Sequence, residues 1–175
     1  MKNRIVLIVV SALFVVIALA MIYSKEKVLT EGAVIELETQ PVDPRDLLRG
    51  DYVILSYKIN NVNFDKEFGE VTPGREVFAQ LEKRGKYWEI KKAYSEVQPD
   101  MGVFIQGIVK ENRWQRNRVD YGIESYFVPE GKGKKIENLM GWNTKDKITV
   151  EVAVDKEGKA VIKQLLLNGQ PYSFK

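Results

Sequence analysis

Hydrophobic and polar positions fall into two regimes along this chain, one long apolar run followed by short alternating segments. Ile5 to Tyr23 contains nineteen residues and no charge. A helix of that length spans roughly 28 Å, close to the hydrocarbon thickness of a bilayer. Ser11 is its one strongly polar residue, and a helix can satisfy that hydroxyl against its own carbonyls. Tyr23 falls where an amphipathic ring favours the membrane interface. The run therefore predicts a transmembrane helix, with the lipid bilayer as its partner. A cleaved signal peptide is the alternative, because Ala18-Leu19-Ala20 meets the small-x-small rule. Against cleavage, Met21-Ile22-Tyr23 carries the apolar run past that site.

Alternation with a period of two dominates the rest. Val34 to Glu38 reads as a short strand, stopped by Pro41 and Pro44, which cannot donate to a ladder. Arg45 to Arg49 predicts one helical turn, capped by Asp43 and ended by Gly50. Asp51 to Asn60 is the clearest strand, with Val53, Leu55, Tyr57 and Ile59 on one face. Its second face is also partly apolar, which predicts an interior strand. Further strands are expected over Glu76 to Leu81, Lys86 to Tyr94, Met101 to Lys110 and Asp120 to Val128. A closing hairpin pairs Lys147 to Val154 with Lys159 to Leu167, and Asn168-Gly169 makes another tight turn. Gly131 to Lys135 reads as a loop and Ile136 to Met140 as a helical turn.

These elements predict a mainly β fold: an N-terminal transmembrane helix, then a β-sandwich or partly open β-barrel with short helical turns. The expected divisions are an anchor at 1–24, a charged juxtamembrane stalk at 25–32 and one β-rich domain at 33–175. With 175 residues in all, the part beyond the anchor suits one domain with its own core.

Composition narrows the chemistry. Cysteine and histidine are both absent, which excludes disulfides, thiolate nucleophiles, imidazole catalysis and Cys/His zinc sites. No cofactor, metal or catalytic residue is expected. The net charge of +3 includes Lys2 and Arg4 ahead of the apolar run, leaving the remainder nearly neutral. That balance lacks the basic footprint of a nucleic-acid binder, so no nucleic-acid partner is expected. The flanking charges favour, by a small margin, a single-pass protein of the cell membrane with its C-terminal domain outside the cytoplasm.

Gly50-Asp51-Tyr52-Val53-Ile54-Leu55-Ser56-Tyr57 resembles the Gly-Asp-Tyr-x-x-Leu-x-Tyr motif of the GDYXXLXY family of bacterial membrane-anchored proteins. Tyr121 to Gly131 is similar to that family's second block, and Val152 to Asp155 with Gly158 to Ala160 to its terminal hairpin. The resemblance covers nearly the whole β-rich part and also implies the single anchor. It implies no activity or catalytic residues. It does suggest an integral-membrane protein partner.

Two readings of the motif residues stand side by side. In the structural one, Gly50 permits a turn while Tyr52, Leu55, Tyr57, Tyr121, Ile123 and Phe127 fill buried faces. In the functional one, Arg45, Asp46, Arg49 and Asp51 join Glu124 and Tyr126 in a forked network that holds a ligand or a partner's peptide. The candidate binding residues are thus Arg45, Asp46, Arg49, Asp51, Tyr52, Tyr57, Tyr121, Glu124 and Tyr126.

Other functions find less support. The Gly-Asp strand is also similar to that of type I signal peptidases, but the position of their serine falls near Pro41-Val42, where nothing can attack. A membrane-anchored hydrolase remains the alternative class. Lys110 to Arg118 mixes basic residues with Trp114 and reads as a solvated loop or a headgroup contact. Asp43, Asp46 and Asp51 could hold a hard cation, although their spacing is not that of an EF-hand.

Overall fold

The structure is a computed structural model that describes residues 2–41, 52–110, 118–140, 144 and 146–174. Helix α1 spans Lys2–Glu31 and so runs well past the apolar stretch. Residues 25–31, expected as a stalk, continue it without a break. Their good helix formers explain this, and Lys27 faces Glu31 one turn on, at 4.0 Å. The apolar surface of α1 is uncovered, whereas Val28, beyond it, is buried against the domain.

Strand β1 (Ala33–Glu38) follows at once, with Ile35 and Leu37 turned inward. Strands β2 (Tyr52–Ile54), β3 (Glu76–Arg84), β4 (Tyr87–Tyr94), β5 (Phe104–Val109), β6 (Val119–Asp120) and β7 (Ser125–Phe127) come next. Helix α2 (Gly133–Leu139) precedes β8 (Ile148–Val154), β9 (Ala160–Leu167) and β10 (Gln170–Pro171). One sheet has the order β1-β8-β9-β10, a second β4-β3-β5-β6, and β2 pairs with β7. Every ladder is antiparallel. The fold is mainly β and sandwich-like, with no closed barrel among the described residues.

Both sheets share one core. Ile35 and Leu37 from the first belong to the same buried cluster as Val77, Ala79 and Ile105 from the second, together with Val53, Leu55 and Tyr57. Strand β8 is buried on both faces, and β1 and β9 pair with its two edges. The tip of the β8–β9 hairpin reaches the second sheet, where Gln106 N donates to the Gly158 carbonyl at 2.8 Å. A side chain at Gly158 would strike Phe104, and its φ of +83° also calls for glycine.

Several expected elements are shorter or broken. The strand expected over Asp51 to Asn60 is regular only at β2, and Lys58–Asn60 winds into a 3-10 turn. Asn60 causes this: its Oδ1 accepts from Tyr57 N at 2.5 Å, drawing the backbone back on itself. The strand expected over Asp120 to Val128 splits into β6 and β7 at Gly122, whose φ is +78°. Strand β5 begins only at Phe104 because Asp100 and Gly102 both have positive φ. Strand β3 runs on to Arg84, and α2 takes in part of the expected loop at Gly133 to Lys135. The helical turn expected at Arg45 to Arg49 lies outside the described residues.

Candidate functional site

Antiparallel pairing of β2 with β7 brings the two motif blocks together: Tyr52 faces Phe127, Val53 faces Tyr126 and Ile54 faces Ser125. Leu55 N extends the pairing by donating to the Glu124 carbonyl at 2.8 Å.

A reciprocal lock of side chains reinforces that ladder. The Tyr57 hydroxyl donates to the Ile123 carbonyl at 2.6 Å. In return, the Tyr121 hydroxyl donates to the Ile59 carbonyl at 2.7 Å. Tyr57 thus reaches a backbone group of the second block, and Tyr121 one two residues beyond the first. Asn60, wholly buried, completes the junction by donating through Nδ2 to the Val119 carbonyl at 2.8 Å. The same amide donates to Glu124 Oε1 at 3.0 Å, and Tyr121 N donates to that oxygen at 2.7 Å. Burial pushes the Tyr57 phenol well above its ordinary value, and the Glu124 charge adds to the shift. Tyr121 shifts the same way, by burial first and then by Glu124 and Asp120. Both hydroxyls therefore remain protonated donors at neutral pH.

Gly107 makes room for this arrangement. A Cβ there would lie 2.5 Å from Val119 Cγ1 and 2.7 Å from Tyr121 Cδ1.

Beside the lock lies an open cleft of about 310 Å³, lined by Ile108, Lys110, Asp120, Gly122, Glu124 and Ser125. Asp120 is engaged by Arg118 at 3.1 Å. Glu124 Oε1 carries the two bonds just described, and Oε2 has no hydrogen bond among the described residues. The cleft thus offers carboxylate oxygens of Glu124 and Asp120, a lysine and a serine beside an apolar wall. Such a lining can hold a polar group of a ligand or peptide. Ser125 and Lys110 are not hydrogen-bonded to each other among the described residues, so the cleft contains no assembled serine–lysine pair.

Of the residues expected at a site, Tyr57, Tyr121 and Glu124 come together, the tyrosines as structural ties and Glu124 as both tie and cleft wall. Tyr52 is half-buried, its ring 6.0 Å from that of Phe127, which is 78% exposed. Tyr126 lies on the opposite face, stacked on Phe174 at 6.3 Å, and burial raises its phenol. Arg45, Asp46, Arg49 and Asp51 lie outside the described residues, as does Asp43 of the candidate cation set. Residues 111–117 of the mixed basic loop also lie outside them. Sequence reasoning missed Asn60, although two asparagines closing an apolar segment are a turn signal. It also missed Asp120, Lys110 and Ser125 as neighbours of Glu124, because only the break at Gly122 places them around one cleft.

A second polar cluster ties the sheets together on another side. Glu38 bonds Lys147 at 2.6 Å and Lys58 at 2.7 Å. Glu36 meets Lys86 at 3.1 Å and accepts from Thr149 at 2.6 Å. Lys147 also lies over the Tyr87 ring, 4.3 Å from its centroid. Burial alone would raise the Glu38 carboxyl, but Lys147 and Lys58 outweigh it and hold it below the usual range.

Comparison with known proteins agrees with the motif geometry. No curated protein and no solved structure matches the chain. The family model described as GDYXXLXY protein matches residues 14–165, from within α1 to near the end of β9. With part of α1, both locked blocks and most of the terminal hairpin inside that match, the chain belongs to the GDYXXLXY family.

Proposed function

We propose that this protein is a membrane-tethered binding or assembly module whose β-domain stands outside the cytoplasm and works with an integral-membrane partner. The observation that carries this reading is α1. Its long apolar surface has no protein cover, and it leads without a break into a folded β-domain. Burying such a helix in lipid removes the cost of exposing it to water. The cleft beside Glu124 is the natural contact for a ligand or a partner's peptide. Glu124 Oε2, without a hydrogen bond among the described residues, suits an amine or another hydrogen-bond donor.

The test uses photo-crosslinking residues placed at Phe14 in the membrane segment and at Ser125 in the cleft. The expected result is a discrete adduct with an integral-membrane protein. At Ser125 that adduct should weaken with Glu124→Gln, a change that keeps an acceptor for Asn60 and Tyr121 while removing the charge. Sidedness is read from Lys163→Cys, the sole thiol in an otherwise cysteine-free chain. A membrane-impermeant maleimide should label it in intact cells. Adducts only with lipid, or labelling only after lysis, would overturn the reading.

A further inference from the structure

The junction between α1 and the β-domain shows no flexible linker. Val28, one turn from the helix end, is buried, and Gly32 N donates to its carbonyl at 2.9 Å. A Cβ on Gly32 would press on that carbonyl and stand 3.0 Å from Val154 O and 3.1 Å from Val154 N. Helix end and β8 are therefore in direct backbone contact. The next residue, Ala33, is already in register with Val154.

That register sets a direction. Strand β8 runs antiparallel to β1, so the chain beyond Val154 heads back past the start of β1, where α1 ends, and α1 touches both β8 and β9. The turn Asp155–Gly158 is the part that does so. Charge supports the placement: Lys159 holds the Glu157 carboxyl below its usual range, and Lys27 on α1 adds to that pull. Lys27 lies four residues beyond Tyr23. At 1.5 Å per residue that is about 6 Å of helix, and the headgroup layer on each side of a bilayer is roughly 5–7 Å thick.

We infer that α1 and the β-domain form one rigid unit that sets the Asp155–Lys159 turn in the phospholipid headgroup layer beside the helix. This rests on α1 spanning the membrane, as proposed above. Lys156, exposed at the tip and without an ion pair among the described residues, is the group that meets lipid phosphate. Glu157 and Lys159 neutralise each other at 2.6 Å, so the turn as a whole suits zwitterionic as well as anionic lipid. The membrane then holds the domain at two points, the helix and the hairpin tip, which fixes its orientation.

The absence of native cysteine makes the test direct. Full-length protein with one fluorophore at Ser24→Cys, Lys156→Cys or Gln170→Cys is reconstituted in phosphatidylcholine vesicles containing a headgroup-linked quencher. Gln170 lies at the opposite end of the hairpin from the turn. Strong quenching is expected at 24, quenching several-fold above that of 170 at 156, and little at 170. Inserting Gly-Gly-Ser after Glu31 should release the turn and reduce the signal at 156 while leaving that at 24 intact. Quenching at 24 but not at 156 would overturn the inference and leave the anchor standing. Quenching at neither would overturn both. An unchanged signal at 156 after the insertion would disprove the rigid junction.

Discussion

The Tyr57 hydroxyl lies 2.6 Å from the Ile123 carbonyl oxygen and donates to it across the two motif blocks. Tyr57 ends the eight-residue motif, and Ile123 sits in the break between β6 and β7. A tyrosine is suited to this because its ring fills the core while its hydroxyl reaches a backbone group that no ladder satisfies. Tyr121 returns the favour to Ile59 at 2.7 Å. The motif therefore reads first as the tie that holds irregular backbone in place beside the cleft.

Removing either hydroxyl should be costly. Tyr57→Phe strands the Ile123 carbonyl and Tyr121→Phe strands that of Ile59, each at about 1–3 kcal/mol. Both bonds fix the same pair of segments, so breaking one loosens the other. The double variant should lose less than the sum of the single losses. Thermal unfolding of the detergent-solubilised protein, followed by circular dichroism, measures all three.

Alkaline pH should attack the same tie. The folded-state values of Tyr57 and Tyr121 lie above the unfolded tyrosine value of about 10, so folding favours the protonated form. Their contribution is complete below about pH 10 and is lost as pH rises above it. The fall in melting temperature above that pH should be shallower in the double phenylalanine variant.

Overpacking should disturb the lock from behind. Gly107→Ala drives a methyl group into Val119 and Tyr121, at a cost of about 1–3 kcal/mol. Pairing that change with Val119→Ala, which vacates part of the space, should recover less than the full loss, because Tyr121 still obstructs the methyl. Melting temperatures of the single and paired variants decide this.

Acid should weaken the Glu38 cluster. The Glu38 carboxyl is held below its unfolded value, so its contribution is present above about pH 4.3 and is lost as pH falls. Glu38→Gln should cost at most about 1 kcal/mol at neutral pH, because both lysine partners are open to water. The difference from the unaltered protein should shrink as pH falls below that value, and added salt should reduce it at neutral pH.

Much of this architecture was legible from periodicity. The apolar run, β1, the β3–β4 pair and the β8–β9 hairpin all follow from local pattern and turn residues. The irregular parts did not, because their causes are distant in sequence. Asn60 bends the motif strand while its amide is held by Val119 and Glu124, far along the chain. Gly122 lies in what reads as one alternating strand, and its positive φ turns that strand into a corner. The helical extension at Lys25 to Glu31 was legible in its helix-forming residues, but their charge masked it. Sequence reasoning set Glu124 in a network with Arg45, Asp46, Arg49 and Asp51, all outside the described residues, whereas its bonds to Asn60 and Tyr121 required the fold.

Everything said of purpose depends on α1 residing in lipid. Cell fractionation followed by an alkaline carbonate wash of the membranes measures this most directly. The full-length chain should sediment with the membranes, resist the wash and enter solution only with detergent. Full-length protein in the soluble fraction without detergent would contradict the account.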